Sequence, residues 1–200
     1  MIANVQGGNL GRWFEQLCRI AHAQLGEIVS TNRESLRAGV LPHMGGIYSF
    51  WWTGDRALLS SPACNREIEL HGPGGRRVSI EMDDGWLGLE TDLPIPLYVG
   101  KTAGSLAKRI GQHLRLGSGD RMLPMGEDPA KPSAPTSSCQ LRAGVEHLFP
   151  QQADTRTLIL DNVGLSYVLL DGDAHAANRF YLEDLAIGLM RPPLNVDIER

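Results

Sequence analysis

The fold of this chain is decided by two short runs, GIYSFWWT at residues 46–53 and PLYVG at residues 96–100. Both are rich in aromatic and β-branched side chains and are bordered by glycine-containing turns, which predicts two buried β-strands. Because both runs are apolar and end in turns, we expect them to pair. Tyr48 and Tyr98 would then stand close together at the rim of a sheet.

Helices and a hairpin are predicted around these two strands. Apolar side chains recur every three or four residues between Leu10 and Leu25, which predicts an amphipathic helix over residues 9–29. Residues 67–71 and 76–82 alternate apolar and polar side chains across a Gly-Pro-Gly-Gly turn, as in a β-hairpin. A further helix is predicted from about 103 to 116, where Leu106, Ile110 and Leu114 form the inward face.

The C-terminal half continues the alternation of helices and strands. We expect a short helix from Gln140 to Phe149 and strands at residues 158–160 and 165–170. The last helix is predicted to begin near Ala174, with Asp171 or Asp173 as its N-cap, and to end before the prolines at 192 and 193. Residues 117–137 are rich in Gly, Pro and Ser and are predicted to form a long loop.

This order of elements predicts the α+β class, with a small, mostly antiparallel, three-stranded central sheet flanked by helices. We expect a single domain over residues 1–200. Its additions to the core are an N-terminal helix at 9–29, a β-hairpin insertion at 54–95 and a loop and helix insertion at 117–157.

Composition indicates an ordinary globular protein. The chain has 200 residues, of which 42% are hydrophobic and 21% charged. No apolar run approaches the ~20 residues that span a bilayer, and the first residues lack the basic and apolar regions of a signal peptide. Its three cysteines lie far apart, which fits a reducing compartment. We therefore expect a cytoplasmic protein.

The charge distribution is compatible with a nucleic-acid partner only locally. The formal net charge is −4, whereas nucleic-acid-binding proteins usually carry a basic surface. However, the segment from Lys101 to Arg121 contains a single acid, Asp120, among its basic residues, and Arg76-Arg77 forms a second basic spot. A basic cleft on an acidic protein would account for both observations.

Arg109 and His113 lie four residues apart, so they share one face of the predicted helix. That face is next to the inward apolar stripe, from which polar side chains can reach over the edge of a sheet. Each candidate also has a simpler interpretation. Tyr48 and Tyr98 are compatible with core aromatics, the arginine–histidine pair with a solvated helix face, and Glu183 with a surface acid.

Taken in order, the motifs resemble the GIY-YIG endonuclease superfamily. The chain carries Gly46-Ile47-Tyr48, then Tyr98-Val99-Gly100 with Lys101, then Arg109 and His113, and finally Glu183 before Pro192-Pro193-Leu194-Asn195. The resemblance covers roughly residues 43–115 and 165–197. The sequence after each tripeptide is similar to that of GIY-YIG-type restriction endonucleases.

The resemblance implies hydrolysis of DNA phosphodiester bonds with one divalent ion, Mg²⁺ or Mn²⁺. It implies Glu183 as the metal ligand, Arg109 as the phosphate-binding cation and Tyr48 as the general base or water-positioning group. His113 would accept or relay a proton, Tyr98 would contact phosphate or water, and Asn195 would orient its neighbours. Candidate DNA contacts are Lys101, Lys108, Arg115, Arg76 and Arg77.

The sequence thus predicts a stand-alone, metal-dependent DNA endonuclease, either restriction-like or borne by a mobile element. Whether it acts as a monomer or a homodimer stays open. One alternative is a non-catalytic DNA-binding or regulatory protein on the same fold, which would need the basic residues but not the carboxylate. An unrelated small-molecule enzyme or a structural protein is the other.

Overall fold

The structure is a computed structural model that describes residues 9–19, 23–30, 32, 35–71, 77–85, 94–114 and 140–195. The described helices are α1 (Asn9–Arg19), α2 (Leu25–Ile28), α3 (Arg56–Ser60), α4 (Leu106–Leu114), α5 (Gln140–Leu148), α6 (Thr155–Asn162) and α7 (Ala176–Met190). The described strands are β1 (Ala23–Gln24), β2 (Gly46–Trp52), β3 (Glu67–His71), β4 (Arg77–Glu81), β5 (Ile95–Thr102) and β6 (Val163–Leu169).

The central sheet has the strand order β1-β6-β2-β5, and every described pair in it is antiparallel. Strand β2 lies inside the sheet, with Tyr48 opposite Gly100 of β5 and opposite Tyr167 of β6. The α+β class and the pairing of the two predicted strands are confirmed. The number of strands is corrected from three to four, because the short strand β1 adds to the sheet beside β6.

Alternate residues of the strands bury two separate cores, one on each face of the sheet. On the first face, Ile47, Val99 and Val168 pack with side chains of α1 and α7, such as Leu17 and Leu182. The larger core on the second face contains Tyr48, Phe50, Tyr98 and Leu165 of the sheet, Ile110 of α4, Leu141 of α5, Ile159 of α6 and Ile68 of the hairpin. The sheet is therefore covered by helices on both faces, and β5 lies at one of its edges.

The predicted helix over residues 9–29 is not continuous. Helix α1 ends at Arg19, residues 20–22 lie outside the described part, and Ala23–Gln24 form strand β1, which pairs with Leu165 and Gly164. The helical spacing of apolar residues persists past Arg19 because Leu25 and Ile28 are buried in the separate helix α2. Tertiary pairing with β6 thus overrides the periodicity of this segment.

Two further expectations are wrong. Residues 158–160 belong to helix α6, whose N-cap Asp154 accepts a hydrogen bond of 2.9 Å from the Thr157 amide. Neither predicted aspartate caps α7. Asp171 instead accepts a bond of 2.7 Å from the Gly45 amide, and Asp173 opens a 3-10 turn, so that His175 is the N-cap.

Other elements agree with the sequence. The hairpin forms from β3 and β4, α5 ends just before Phe149, and the buried face of α4 contains Leu106, Ile110 and Leu114 as predicted. Helix α4 itself is shorter than expected in its described part, since it begins at Leu106. The predicted loop at 117–137 lies outside the described residues. Among those that are described, none forms a helix with both the length and the apolar character that crossing a membrane requires.

Candidate active site

Tyr48 lies in the interior strand β2 and is completely buried. Its hydroxyl passes over Gly100 of the neighbouring strand, where a Cβ atom would lie only 2.5 Å from the phenol oxygen. The glycine of the second tripeptide is therefore required by close approach, because any side chain would push the tyrosine away. The glycine of the first tripeptide has a similar cause, since a Cβ on Gly46 would lie 2.2 Å from the Val168 carbonyl oxygen.

Helix α4 contributes two side chains that hold the Tyr48 hydroxyl. His113 is fully buried, and its Nε2 lies 2.8 Å from the phenol oxygen. Arg109, one turn earlier, is half-buried and donates from Nε to the same oxygen at 3.1 Å. The buried leucines and isoleucine of α4 hold the helix against the sheet and so aim both groups at Tyr48.

The sequence predicted that His113 lies on the face of α4 next to the buried stripe. In the structure His113 is instead part of the buried face. His113 follows Leu106 by seven residues and Ile110 by three, so it continues the inward stripe of α4. Its ring centroid lies 5.0 Å from that of Tyr98 and 5.2 Å from that of Phe50. The i, i+7 spacing was the sequence signal that could have placed this histidine in the core.

These surroundings determine the protonation of the buried pair. Burial, assisted by the nearby charge of Arg109, lowers the pKa of His113 from 6.5 to about 3. Burial is also the main cause that raises the pKa of Tyr48 well above its ordinary value, and Arg109 opposes that rise. At neutral pH the imidazole is therefore neutral and the phenol protonated. In the tautomer that carries hydrogen on Nδ1, Nε2 accepts the phenol proton.

Tyr98 stands beside this pair on edge strand β5. Its ring centroid lies 6.2 Å from that of Tyr48 and 5.0 Å from that of His113. Burial raises the pKa of Tyr98 to about 12; Arg109 opposes this rise and the negative charge of Glu183 adds to it. Tyr48, His113 and Arg109, joined by hydrogen bonds, and Tyr98, joined by ring contacts, thus form one group, which we call the tyrosine cluster.

Lys101 and Glu183 lie on the other side of the β5 edge. Side chains alternate along a strand, so Lys101 shares the face of Val99 and is directed toward α7, away from Tyr98. Its ammonium forms an ion pair with the Glu183 carboxylate of α7. The negative charge of Glu183 nevertheless adds to the raised pKa of both tyrosines.

Asn195 contacts the backbone of β5. Its Oδ1 accepts from the Val99 amide and its Nδ2 donates to the Val99 carbonyl, both at 2.7 Å. The Leu194 amide also donates to the Leu97 carbonyl at 3.0 Å, so this segment continues the ladder along the outer edge of β5. Asn195 therefore fixes the strand that carries Tyr98 and Lys101.

The donor set near Glu183 suits one kind of metal site. In the described part of the chain, no group of three or more His, Cys, Asp or Glu side chains could hold a metal ion. A single carboxylate still fits Mg²⁺, which keeps several waters and is usually bound by one or two carboxylates together with substrate phosphates. The ammonium of Lys101 would have to leave the carboxylate when an ion binds there.

The structure describes only some of the residues that were predicted to contact DNA. Lys108 is exposed on α4, one residue before Arg109. Arg115 and Arg76 lie outside the described residues, and Arg77 begins strand β4 with only its backbone described. A residue that sequence reasoning missed is Phe180, whose ring lies beneath the Lys101 ammonium at 5.2 Å. Its position three residues before Glu183 was the available signal.

Comparison of the chain with protein-family models, with curated proteins and with solved structures gives no match.

Proposed function

We propose that this protein is a metal-dependent DNA endonuclease, built on a GIY-YIG-like core, that hydrolyses phosphodiester bonds. The observation that carries the proposal is the Tyr48 hydroxyl, held between Arg109 at 3.1 Å and the buried neutral His113 at 2.8 Å. A proton acceptor, a hydroxyl and a permanent cation in contact, close to a carboxylate across one strand, are the groups that phosphodiester hydrolysis requires.

Arg109 is the group that binds the scissile phosphate in this proposal. Its planar guanidinium suits a phosphate better than a phenol, because each N–H bond to an anion is strengthened by charge. In the structure Arg109 donates to the buried Tyr48 hydroxyl. Rotation of Arg109 toward the phosphate would uncover that hydroxyl on the substrate side, so substrate binding itself would open the site.

Tyr48 and His113 would then move the proton of the attacking water. The raised pKa of Tyr48 makes a free phenolate costly, so we assign a relay in which Tyr48 takes a proton from water as it gives its own to His113. A buried imidazolium is also costly, since the pKa of His113 is lowered to about 3. The negative charge that develops on the phosphate offsets this cost in the transition state.

Glu183 would hold the Mg²⁺ or Mn²⁺ ion, which neutralises phosphate charge and acidifies a bound water. Lys101, if an ion took its place on Glu183, would add a second cation at this edge of the sheet. Asn195 keeps Tyr98 and Lys101 in register through its two bonds to Val99. We include DNA as the partner and the cytoplasm as the compartment in this proposal, the latter because of the widely spaced cysteines, of which Cys18 and Cys64 are free.

Cleavage of supercoiled plasmid tests the function directly. We expect nicked or linear product with Mg²⁺ and none with EDTA. Glu183→Gln keeps the size of the side chain but removes its charge, and should abolish cleavage. Asp184→Asn is the matched control, since it removes the adjacent and exposed carboxylate and should leave the rate unchanged. Cleavage by the Glu183 variant at the wild-type rate would contradict the metal assignment.

One observation favours the non-catalytic alternative, a DNA-binding or regulatory protein on this fold. The Tyr48 hydroxyl is covered by Arg109, and the Glu183 carboxylate is occupied by Lys101. A binding protein could use both contacts as permanent structure. The same plasmid experiment decides, because such a protein would shift the plasmid on a gel without cutting it in Mg²⁺ or Mn²⁺.

A further inference from the structure

Helix α7 presents two aromatic rings to solvent beside the candidate site. Phe180 is 50% exposed and Tyr181 is 58% exposed, the highest values among the large apolar side chains in the described residues. The two rings contact each other edge to face, with centroids 5.7 Å apart. Single exposed apolar residues are common and need no explanation, so their position must decide whether these rings have a role.

Phe180 is part of a continuous set of groups that ends at the proposed metal ligand. Its ring lies 5.2 Å from the Lys101 ammonium, and that ammonium is paired with Glu183. Phe180 also precedes Glu183 by three residues, so the two side chains are neighbours on one face of α7. An open aromatic ring therefore adjoins the place where a phosphate would be held.

The chemistry of this juxtaposition matches a nucleotide. The ammonium of Lys101 complements the charge of a phosphodiester, while the adjacent ring of Phe180 offers a surface to a base. Bases stack on aromatic side chains with little regard to sequence, because every base has a π-face. A partner that is only anionic would leave the ring without a contact, and a purely apolar partner would make no use of the Lys101 charge beside it.

We propose that Phe180 stacks on the nucleobase next to the scissile phosphate, so that the protein grips a base that is out of the duplex stack. This inference rests on the proposed function and adds a positioning residue to it. Lys101 connects base stacking with phosphate binding, since it contacts the Phe180 ring in the structure and would contact the phosphate in the complex. The proposal implies tighter binding to single-stranded or locally opened DNA than to a continuous duplex.

Fluorescence anisotropy with a labelled single-stranded oligonucleotide in EDTA tests the contact without cleavage. We expect Phe180→Ala to weaken binding by about fivefold to a hundredfold, which is the range found for single base–aromatic stacks. Phe180→Trp should retain the affinity, and its fluorescence should change when DNA binds. Leu189→Ala is the matched control, because Leu189 is 46% exposed on the same helix and lies nine residues from Phe180.

The salt dependence of binding separates stacking from an indirect effect on Lys101. Stacking releases no counterions, so the slope of log affinity against log salt should be the same for Phe180→Ala and the wild type. A slope reduced by about 0.7 would mean that the variant has lost a phosphate contact instead, and would overturn the proposal. Equal affinities of Phe180→Ala and Leu189→Ala would also overturn it.

Three further outcomes have distinct meanings. Loss of self-association by Phe180→Ala in sedimentation, with unchanged DNA affinity, would assign the ring to contact between copies of the chain and reject stacking. If the wild type cuts plasmid but the ring variant binds DNA normally, only this inference fails. If the wild type neither binds nor cuts DNA, the proposed function and this inference fail together.

Discussion

Replacement of Gly100 by alanine should damage the tyrosine cluster more than its single added methyl group suggests. The new Cβ would lie 2.5 Å from the Tyr48 hydroxyl oxygen and 2.7 Å from a ring carbon of Tyr98. Ordinary contacts begin at 3.4 Å, so the two rings would have to move by about 0.7–0.9 Å. Both rings are packed among buried neighbours, and Tyr48 also accepts a hydrogen bond from Arg109, which leaves them little room.

The expected loss of stability is about 1–3 kcal/mol, the usual cost of an extra methyl group in a packed core. For a chain of this size that corresponds to a fall in Tm of roughly 2–12 °C. If the proposed function holds, a displacement of nearly 1 Å at Tyr48 should also slow cleavage by about a hundredfold. Thermal and urea denaturation measure the first effect, and plasmid cleavage measures the second.

Gly104→Ala is the matched control, because nothing lies within 4 Å of a Cβ at that position. It should change stability and cleavage very little. The stability prediction does not depend on any function. Equal melting temperatures for the Gly100 and Gly104 variants would refute the close packing of Tyr48 on Gly100, and with it our explanation of the second glycine.

Three other perturbations address the charges and the proton of the site. Lys101→Met should raise the affinity for Mn²⁺ about tenfold, because the ion no longer competes with an ammonium for Glu183. Calorimetry or EPR measures this affinity, and an unchanged value would mean that the ion binds elsewhere. His113 remains neutral when folded but is protonated below pH 6.5 when unfolded, so its stabilising contribution is complete above pH 6.5 and is lost as the pH falls toward 3. Between pH 7 and pH 5, the wild type should therefore lose about 2 kcal/mol more stability in urea titrations than His113→Gln, and parallel profiles would contradict the lowered pKa. Tyr48→Phe should reduce the cleavage rate by about 10²–10⁴. Tyr167 lies opposite Tyr48 on β6, and the Tyr167→Phe variant should cut at the normal rate. Equal rates for the two variants would show that the Tyr48 hydroxyl takes no part in cleavage.

The sequence alone was sufficient for elements whose pattern is local. Aromatic and β-branched residues predicted β2 and β5, alternation predicted the hairpin, and the spacing of Leu106, Ile110 and Leu114 predicted the buried face of α4. These predictions succeeded because burial of a strand or helix face leaves a period of about 2 or 3.6 residues in the sequence itself. The resemblance, in turn, selected Tyr48, Tyr98, Arg109 and His113, which the structure brings into one cluster.

Only the tertiary structure decided how distant segments meet. The pairing of Ala23–Gln24 with β6, the bonds of Asn195 to Val99 and the ion pair of Lys101 with Glu183 join residues about 80 to 140 positions apart. No local period records such contacts, because each depends on where the packed faces of the sheet place the two partners. The same holds for the charges of the site. Arg109 and His113 form one face in the sequence, but the structure buries the histidine fully and leaves the arginine half-exposed. Full burial lowers the pKa of His113 and so keeps it neutral, whereas the guanidinium of Arg109 stays charged because its pKa lies far above neutral pH.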